Sequence, residues 1–587
     1  MGRRAFLGLE LRTAVHRRTW AHALGLAVCL AVPVQAAAAP DCASLVAIKP
    51  EATTIASASV VSGPSSIGGA RVGVPFCRVE GIARPSSDSE IRFEVWLPAA
   101  EDKWSRRLKV NGTGGYAGAV PYGLLAQDIG DGFVTAGSNM GHDGGESPAW
   151  TVNRPEKVKD WGLRAHYSVA TAAKALSAAY YGTPARYSYF EGCSNGGRQA
   201  MMMAQNYPEL FDGIVSGAPS MFYPDLLFWL LWTGKQQMPE AGKPAVLSDA
   251  KRALVTRRVL DKCDGLDGLV DGQITNPRAC TFDVDSLGPA GDNSLTAAEL
   301  AVVKGMYQGT RSESGVQRYP GAMLGSESDW IPLFADNGGY GAFIEHFVYS
   351  RNTPNFDWRR ELNFSNVYDE AKAKLTPFTA APSPDITAFA QRGGKLLHYH
   401  GWNDPVVTPN GSIDYLYALT QFERFRGLSK PEFDRAIDAL TPQDVAMSAE
   451  PLLERVRQYH RLFMVPGMGH CSLSGSGPRW IGGGASEPPA ALRDTDHHVV
   501  GALMKWVEQG VAPERIIATR VEDGKVVRKR PICAYPAQAA YKGSGDVNDA
   551  ASFSCVTPDA ATRPLNAGDM ILIQSSLRQR DVKLPNR

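Results

Sequence analysis

Beyond its first 40 residues, this 587-residue chain has no apolar run long enough to cross a bilayer. That excludes spanning helices from the rest of the sequence. Charge of one sign is also missing: 61 Lys and Arg face 60 Asp and Glu, for a formal net charge of +1. No basic run is interleaved with aromatics, so nothing points to nucleic acid or an anionic membrane surface. Internal repeats and low-complexity tracts are absent too, which sets aside a repeat architecture. What remains is an ordinary globular composition. Its length exceeds one simple core, so a large domain with an insertion, or two domains, is expected.

The N-terminus reads as a targeting segment over 1–39. Arg3, Arg4, Arg12, Arg17 and Arg18 precede an apolar run, ALGLAVCLAV (23–32). PVQAAAAP (33–40) then offers small residues for a signal peptidase, Val34-Gln35-Ala36 being one option. The run is too short to span a bilayer. RRAFL (3–7) looks like a twin-arginine signal but lies far from the apolar run, so general secretion is the favoured route. Either route predicts a secreted or periplasmic protein. Of nine cysteines, Cys29 lies in this segment. An even remainder in an oxidising compartment reads as disulfides. Sequence proximity pairs Cys42 with Cys77, Cys263 with Cys280 and Cys533 with Cys555, which leaves Cys193 for Cys471.

From about residue 91, strand-like runs alternate with helical ones: IRFEVWLP (91–98), RRLKVNGTGGYAG (106–118), a helix over 160–182 closed by Gly182, then RYSYFEGCSNGGRQAMMMAQNYP (186–208). This alternation indicates an α/β fold with a parallel sheet. The pattern breaks after 219 and resumes at GGKLLHYHGWNDPVV (393–407) and YHRLFMVPGMGHC (459–471). The expected organisation is a core over 40–219 and 393–570, an inserted domain of roughly 170 residues over 220–392, and a loose tail over 571–587.

The G-x-S-x-G around Ser194 follows an apolar strand and precedes a helix-forming run. That is the setting of a nucleophile on a sharp strand-to-helix turn, where flanking glycines accommodate a strained, crowded backbone. A serine nucleophile needs a base, and the base an orienting acid. Asp404 and His470 each follow a strand end, and the chain order Ser, Asp, His suits this fold class. Asp404 also precedes Pro405, a pairing that elsewhere merely starts a turn. His398 and His400, inside an apolar strand, read as packed or hydrogen-bonded core groups. His142 reads as a loop stabiliser, and His497 and His498 as surface or packing residues. An oxyanion hole needs two backbone N–H groups; Asn195 supplies one, and Gly114 or Gly115 the other. Were Ser194 and His470 within hydrogen-bond reach, Cys193 and Cys471 beside them would be near enough to bridge.

In CDGLDGLVDGQITNPRAC (263–280), Asp264, Asp267 and Asp271 bring three carboxylates into a glycine-rich loop. Hard oxygen ligands on a flexible loop suit calcium, although a solvated acidic turn would have the same composition. The spacing is not that of an EF-hand, and zinc is disfavoured because the flanking cysteines serve a disulfide.

Cys193-Ser194, Asp404 and His470-Cys471 together resemble the Cys-Ser, Asp, His-Cys arrangement of the tannase and feruloyl esterase family. GCSNGGR (192–198), HGWNDPVVTP (400–409), VPGMGHC (465–471), WVEQGVAPERIIATR (506–520) and RPICAYPAQAAYKGSGD (530–546) are similar to it as well, so the likeness covers roughly 42–560. The resemblance implies an α/β-hydrolase core with a lid inserted between the sixth and seventh strands, and a secreted serine esterase acting on aromatic acid esters such as gallates, ferulates or chlorogenates. It also implies structural calcium at a D-x-x-D-G-x-x-D loop, with the carbonyls of Leu269 and Gln273 as further ligands; family members usually carry an aliphatic residue where Gln273 stands. A terephthalate monoester is an alternative substrate, but no lid arginine aligns with the carboxylate-binding arginine of such hydrolases. An alternative of another class is a calcium-dependent binding protein on an inactive hydrolase scaffold. Trp330, Phe334, Tyr340, Phe343 and Phe347 are candidates for the wall of an acyl pocket, or for lid core.

Overall fold

Nine segments form the strands of one sheet: β1 (Thr53–Val61), β2 (Phe76–Ala83), β3 (Ile91–Pro98), β4 (Arg107–Asn111), β5 (Val134–Ser138), β6 (Tyr187–Cys193), β7 (Gly213–Gly217), β8 (Lys395–Gly401) and β9 (His460–Val465). The computed structural model describes residues 41–579, apart from 146, 241, 289–292, 331–338, 355, 473, 475–476, 478–480, 482–491, 560–564 and 566. The expected targeting segment, Phe334, the side chain of Tyr340 and residues 580–587 therefore lie outside the described residues.

The sheet order is β1-β2-β3-β5-β4-β6-β7-β8-β9. The pairs among β1, β2, β3 and β5 are antiparallel; every pair from β5 to β9 is parallel. β5, β7 and β9 are buried along their whole length. Burial on both faces is the setting of central parallel strands, which show no in-out alternation of apolar and polar residues. Helix α1 (Ala165–Tyr181) ends on Gly182 in the left-handed region, as a glycine C-cap should. The turn before it, Asp160–Arg164, is π-helical and not regular α-helix. Helix α2 (Asn195–Asn206) springs directly from the end of β6.

After β7 the chain leaves the sheet, and it re-enters at β8, the adjacent strand. Among the described residues, the intervening segment holds one two-stranded hairpin, Thr310–Arg311 with Gln317–Tyr319. The rest is loops and helices, including α3 (Tyr223–Gln237), α4 (Asp249–Cys263) and α5 (Asn366–Thr379). Its apolar side chains, Phe228, Phe343 and Trp358 among them, join the same continuous core as Phe190 and Ile214 of the sheet. The insertion is thus packed onto the sheet and has no separate core.

Helix α6 (Asn410–Phe425) follows β8, and α7 (Val499–Gln509) follows β9. Two hairpins come next, β10 (Arg515–Glu522) with β11 (Lys525–Cys533), and β12 (Gln538–Tyr541) with β13 (Phe553–Val556). In place of a loose tail from 571, α8 (Ala567–Leu577) buries Leu572, Ile573 and Leu577. Its Asp569 pairs with Arg278 at 2.7 Å, both side chains being buried. The apolar residues of α8 were too few and too near the terminus to signal docking without knowledge of their partners. The four disulfides are Cys42–Cys77, Cys193–Cys471, Cys263–Cys280 and Cys533–Cys555, the pairings expected from the sequence.

Candidate active site

The turn between β6 and α2 holds Ser194 at φ 62°, ψ −121°, a conformation that costs a residue with a side chain about 1–3 kcal/mol. The glycines around it permit close approach. A Cβ on Gly192 would lie 2.5 Å from the backbone of Gly196, which itself presses on Gly112 of the neighbouring strand end. Ser194 is held by its N–H to the carbonyl of Gly217, the last residue of β7 (3.0 Å), and by its carbonyl to the N–H of Ser220 just beyond it (3.1 Å). The hydroxyl is thereby fixed at the carboxyl edge of the sheet.

Asp404 and His470 lie on the loops after β8 and β9. Those loops meet because Gly401 has no side chain: a Cβ there would stand 2.1 Å from the Met468 carbonyl. Asn403 donates its N–H to that same carbonyl at 3.0 Å. Across the contact, His470 Nδ1 is 2.6 Å from Asp404 Oδ2, and His470 Nε2 is 2.9 Å from Ser194 Oγ. The two residues flanking this line, Cys193 and Cys471, are bonded, with Cα atoms 6.0 Å apart. Asp404 is fully buried. Burial alone would raise its pKa, but the charge of His470 and the hydrogen bonds from His400 and His470 outweigh it, and the carboxyl sits below its ordinary value. Oδ1 accepts the N–H groups of Val406 (2.8 Å) and Val407 (2.9 Å). An ionised acceptor on the Nδ1 side requires the proton on Nδ1, which leaves Nε2 free to accept from the serine hydroxyl.

The glycine loop after β4 is pinned at two points. Thr113 donates its N–H to Gln199 Oε1 at 2.9 Å, so that group is already engaged. The Asn195 side chain donates to the Gly115 carbonyl at 3.0 Å. Among the described residues neither Gly114 nor Gly115 donates its N–H to an acceptor, and the first N–H of α2, on Asn195, has no intrahelical partner. Both glycines thus stay compatible with an anion-binding role.

Sequence reasoning missed what holds Asn195. Arg198 is completely buried; its Nε donates to Asn195 Oδ1 at 2.6 Å and a terminal nitrogen to the Gly162 carbonyl at 2.8 Å. The guanidinium lies 4.6 Å from the Trp161 ring and 5.5 Å from that of Tyr223. Burial lowers its pKa to about 10, still well above neutrality. Trp161 belongs to an aromatic group with Tyr116, Trp150 and Phe347, centroids 5.8–6.1 Å apart. Tyr116 directly follows Gly115, so Phe347 and this group stand beside the glycine loop. Phe343 packs behind Phe347 at 5.6 Å, whereas Trp330 turns to Tyr307 within the insertion, 5.1 Å away. His142 stacks on Trp150 at 3.9 Å, and burial pushes its pKa down to about 4. His498 caps α7 through the N–H of Gly501, and His497 bonds Asp494 at the surface.

The acidic loop is closed by Cys263–Cys280. The Asp264 carboxylate accepts the N–H groups of Asp271, Gly272 and Gln273 at 2.8–3.3 Å. Asp267 accepts from the Leu269 N–H (3.0 Å) and the Thr275 hydroxyl (2.6 Å). Burial, with a smaller repulsion from Asp271, raises the Asp267 pKa. Asp271 turns to Arg530 at 2.5 Å and Arg528 at 3.6 Å. Among the described residues no three carboxylates converge on one point. The donor chemistry suits a calcium ion, while Asp271 is engaged by Arg530.

A strained serine, a histidine and a buried carboxylate hydrogen-bonded in line define the class of site used by serine hydrolases. Comparison with known proteins is specific: residues 77–556 match the family Tannase and feruloyl esterase. The chain belongs to that family. It is 36% identical over 568 residues to an uncharacterized esterase of Xanthomonas campestris pv. campestris, covering 90% of this chain and 94% of that protein. It is 30% identical to a probable feruloyl esterase B-1 of Neosartorya fischeri, covering 82% and 86%. Among solved structures, feruloyl esterase B from Aspergillus oryzae superposes with a TM-score of 0.73 at 26% identity, covering 88% of this chain and 99% of that one.

Proposed function

We propose that this protein is an exported serine carboxylic-ester hydrolase acting on esters of hydroxycinnamic, gallic or similar aromatic acids. The observation that carries the reading is the hydrogen-bonded line Ser194–His470–Asp404, tethered by Cys193–Cys471. His470 Nε2 takes the hydroxyl proton as Ser194 Oγ attacks the ester carbonyl. Asp404 holds the Nδ1–H tautomer and stabilises the imidazolium that forms. The N–H groups of Asn195 and of Gly114 or Gly115 receive the oxyanion. The imidazolium returns its proton to the departing alcohol, leaving an acyl-enzyme; water, deprotonated by His470, then releases the acid.

Leaving aside the edge strand β1, the remaining eight strands run 1-2-4-3-5-6-7-8, the order of an α/β-hydrolase, and the insertion falls between the sixth and seventh. In that position it acts as a lid, and the aromatic group around Trp161 and Phe347 supports an aromatic acyl moiety at the glycine loop. The named feruloyl esterases among the relatives favour the same substrate class. Four disulfides fit an oxidising compartment. Asp264, Asp267 and Asp271, with the carbonyls of Leu269 and Gln273, would hold a calcium ion, whose role would be structural because the triad needs no metal.

The test is to assay methyl gallate, methyl ferulate, chlorogenate and a terephthalate monoester side by side, with Ser194→Ala as control. Turnover of one or more aromatic esters is expected, reduced at least ~10⁴-fold in Ser194→Ala. Activity surviving in that variant, or hydrolysis confined to aliphatic esters, overturns the reading.

A further inference from the structure

Behind Asp404 lies a line of buried polar groups that the triad chemistry does not use. His400 Nε2 is 3.1 Å from Asp404 Oδ2 and 2.9 Å from the Val407 carbonyl. His400 Nδ1 is 2.6 Å from Ser412 Oγ, which is 2.8 Å from His398 Nε2. His398 Nδ1 is 3.3 Å from His460 Nε2. All three imidazoles are completely buried and Ser412 is 1% exposed. Strand alternation places His398 and His400 on one face of β8; Ser412 enters from the first turn of α6, and His460 from the start of β9.

Geometry fixes the direction of the protons once His400 carries a single ring hydrogen. Both partners of His400 Nε2 are acceptors, so Nε2 carries that hydrogen and Nδ1 accepts. Ser412 has one hydrogen and gives it to Nδ1; its oxygen therefore accepts from His398 Nε2–H. His398 Nδ1 then accepts from His460 Nε2–H. The line ends at His460 Nδ1, which is buried and has no partner among the described residues. A charge is not tolerated along the far part of it: burial holds the pKa of His398 well below the ordinary imidazole value and that of His460 at about 3. At its near end the line meets the Asp404 carboxylate. Were His400 to take the opposite tautomer, its Nε2 lone pair would face Asp404 Oδ2 and the Val407 carbonyl together, and the carboxylate oxygen that orients His470 would be pushed away.

We propose that His400 is a positioning residue for Asp404, locked as the Nε2–H tautomer by the buried line Ser412–His398–His460. Asp404 Oδ2 then receives two imidazole N–H groups, one from the base it orients and one from a neutral imidazole that holds it in place. A neutral donor fixes the oxygen without neutralising the charge that stabilises the His470 imidazolium. This rests on Asp404 being the acid of the triad.

The experiment joins a tautomer measurement to a mutant cycle. In the intact protein with ¹⁵N-labelled histidine, His398, His400 and His460 should all show the neutral Nε2–H signature at pH 7; an Nδ1–H signal from His400 overturns the proposal even if every variant fails to fold. In the cycle, Ser412→Ala should lower kcat about 10- to 100-fold with KM nearly unchanged, the scale of an ångström-level misplacement. In a His400→Gln background, whose carboxamide donor has no tautomer to lose, the same change should cost less than about twofold. Equal losses in both backgrounds, or none in either, contradict the proposal. Ser194→Ala in the same assay separates the two claims: if it abolishes turnover while Ser412→Ala does nothing, the triad stands and only the line falls.

Discussion

Ser194, His470 and Asp404 were readable because each follows a strand in the order Ser, Asp, His, with glycines at 192 and 196 around the serine and His-Cys at 470; Asp-Pro at 404 pointed also to a plain turn. Arg198 was not readable, although it stands four residues after Ser194. An arginine on a helix is ordinarily a surface group, and only the fold buries it under Trp161 and Tyr223. The consequence passes through Asn195, whose carboxamide receives Arg198 and donates to the Gly115 carbonyl. Asn195→Ala keeps the backbone N–H offered to the oxyanion but releases the glycine loop. We expect kcat to fall about tenfold, less than the 10²–10³ typical of deleting an oxyanion donor outright, with KM changed less than twofold. Steady-state kinetics on a methyl ester read this directly; an unchanged kcat means that the loop is held by Thr113 alone.

Among elements, the parallel strands were legible from their apolar runs. The contact between the β8 and β9 loops was not, because it depends on Gly401 approaching the Met468 carbonyl, a long-range steric fact. The Cys193–Cys471 bridge fastens the β9 loop to the turn between β6 and α2 across a sequence separation of 278. In the chain-entropy view, closing so long a loop stabilises the fold by about 5 kcal/mol. Its local effect is to hold base and nucleophile at 2.9 Å. The double variant Cys193→Ala, Cys471→Ala should therefore lose kcat by about 100-fold at temperatures where circular dichroism reports it folded. Parallel decline of activity and folded fraction, with full kcat per folded molecule, would reduce the bridge to a stability device.

At the scale of the whole molecule, the α/β class, the interruption after 219 and all four disulfide pairs were legible: strand periodicity carries the first two, cysteine proximity carries three of the pairs, and Cys193–Cys471 is what remains. The shared core of insertion and sheet was not, nor the docking of α8, since neither has a local pattern. The acidic loop illustrates the same limit: composition announces three carboxylates, whereas the fold decides that Asp271 faces Arg530. If calcium is resident there, EGTA treatment should lower the melting temperature by a few degrees, and added calcium should restore it, with kcat at 25 °C unchanged. A melting temperature indifferent to both, with no calcium in the purified protein, would assign the loop to Arg530 instead. The central claim, that Ser194 is the nucleophile of an esterase, is tested most directly by treating the protein with an aryl organophosphonate and mapping the adduct by peptide mass spectrometry. The account predicts a single stoichiometric adduct on Ser194, lost in His470→Ala together with hydrolysis; no adduct, or one elsewhere while ester turnover stops, would contradict it.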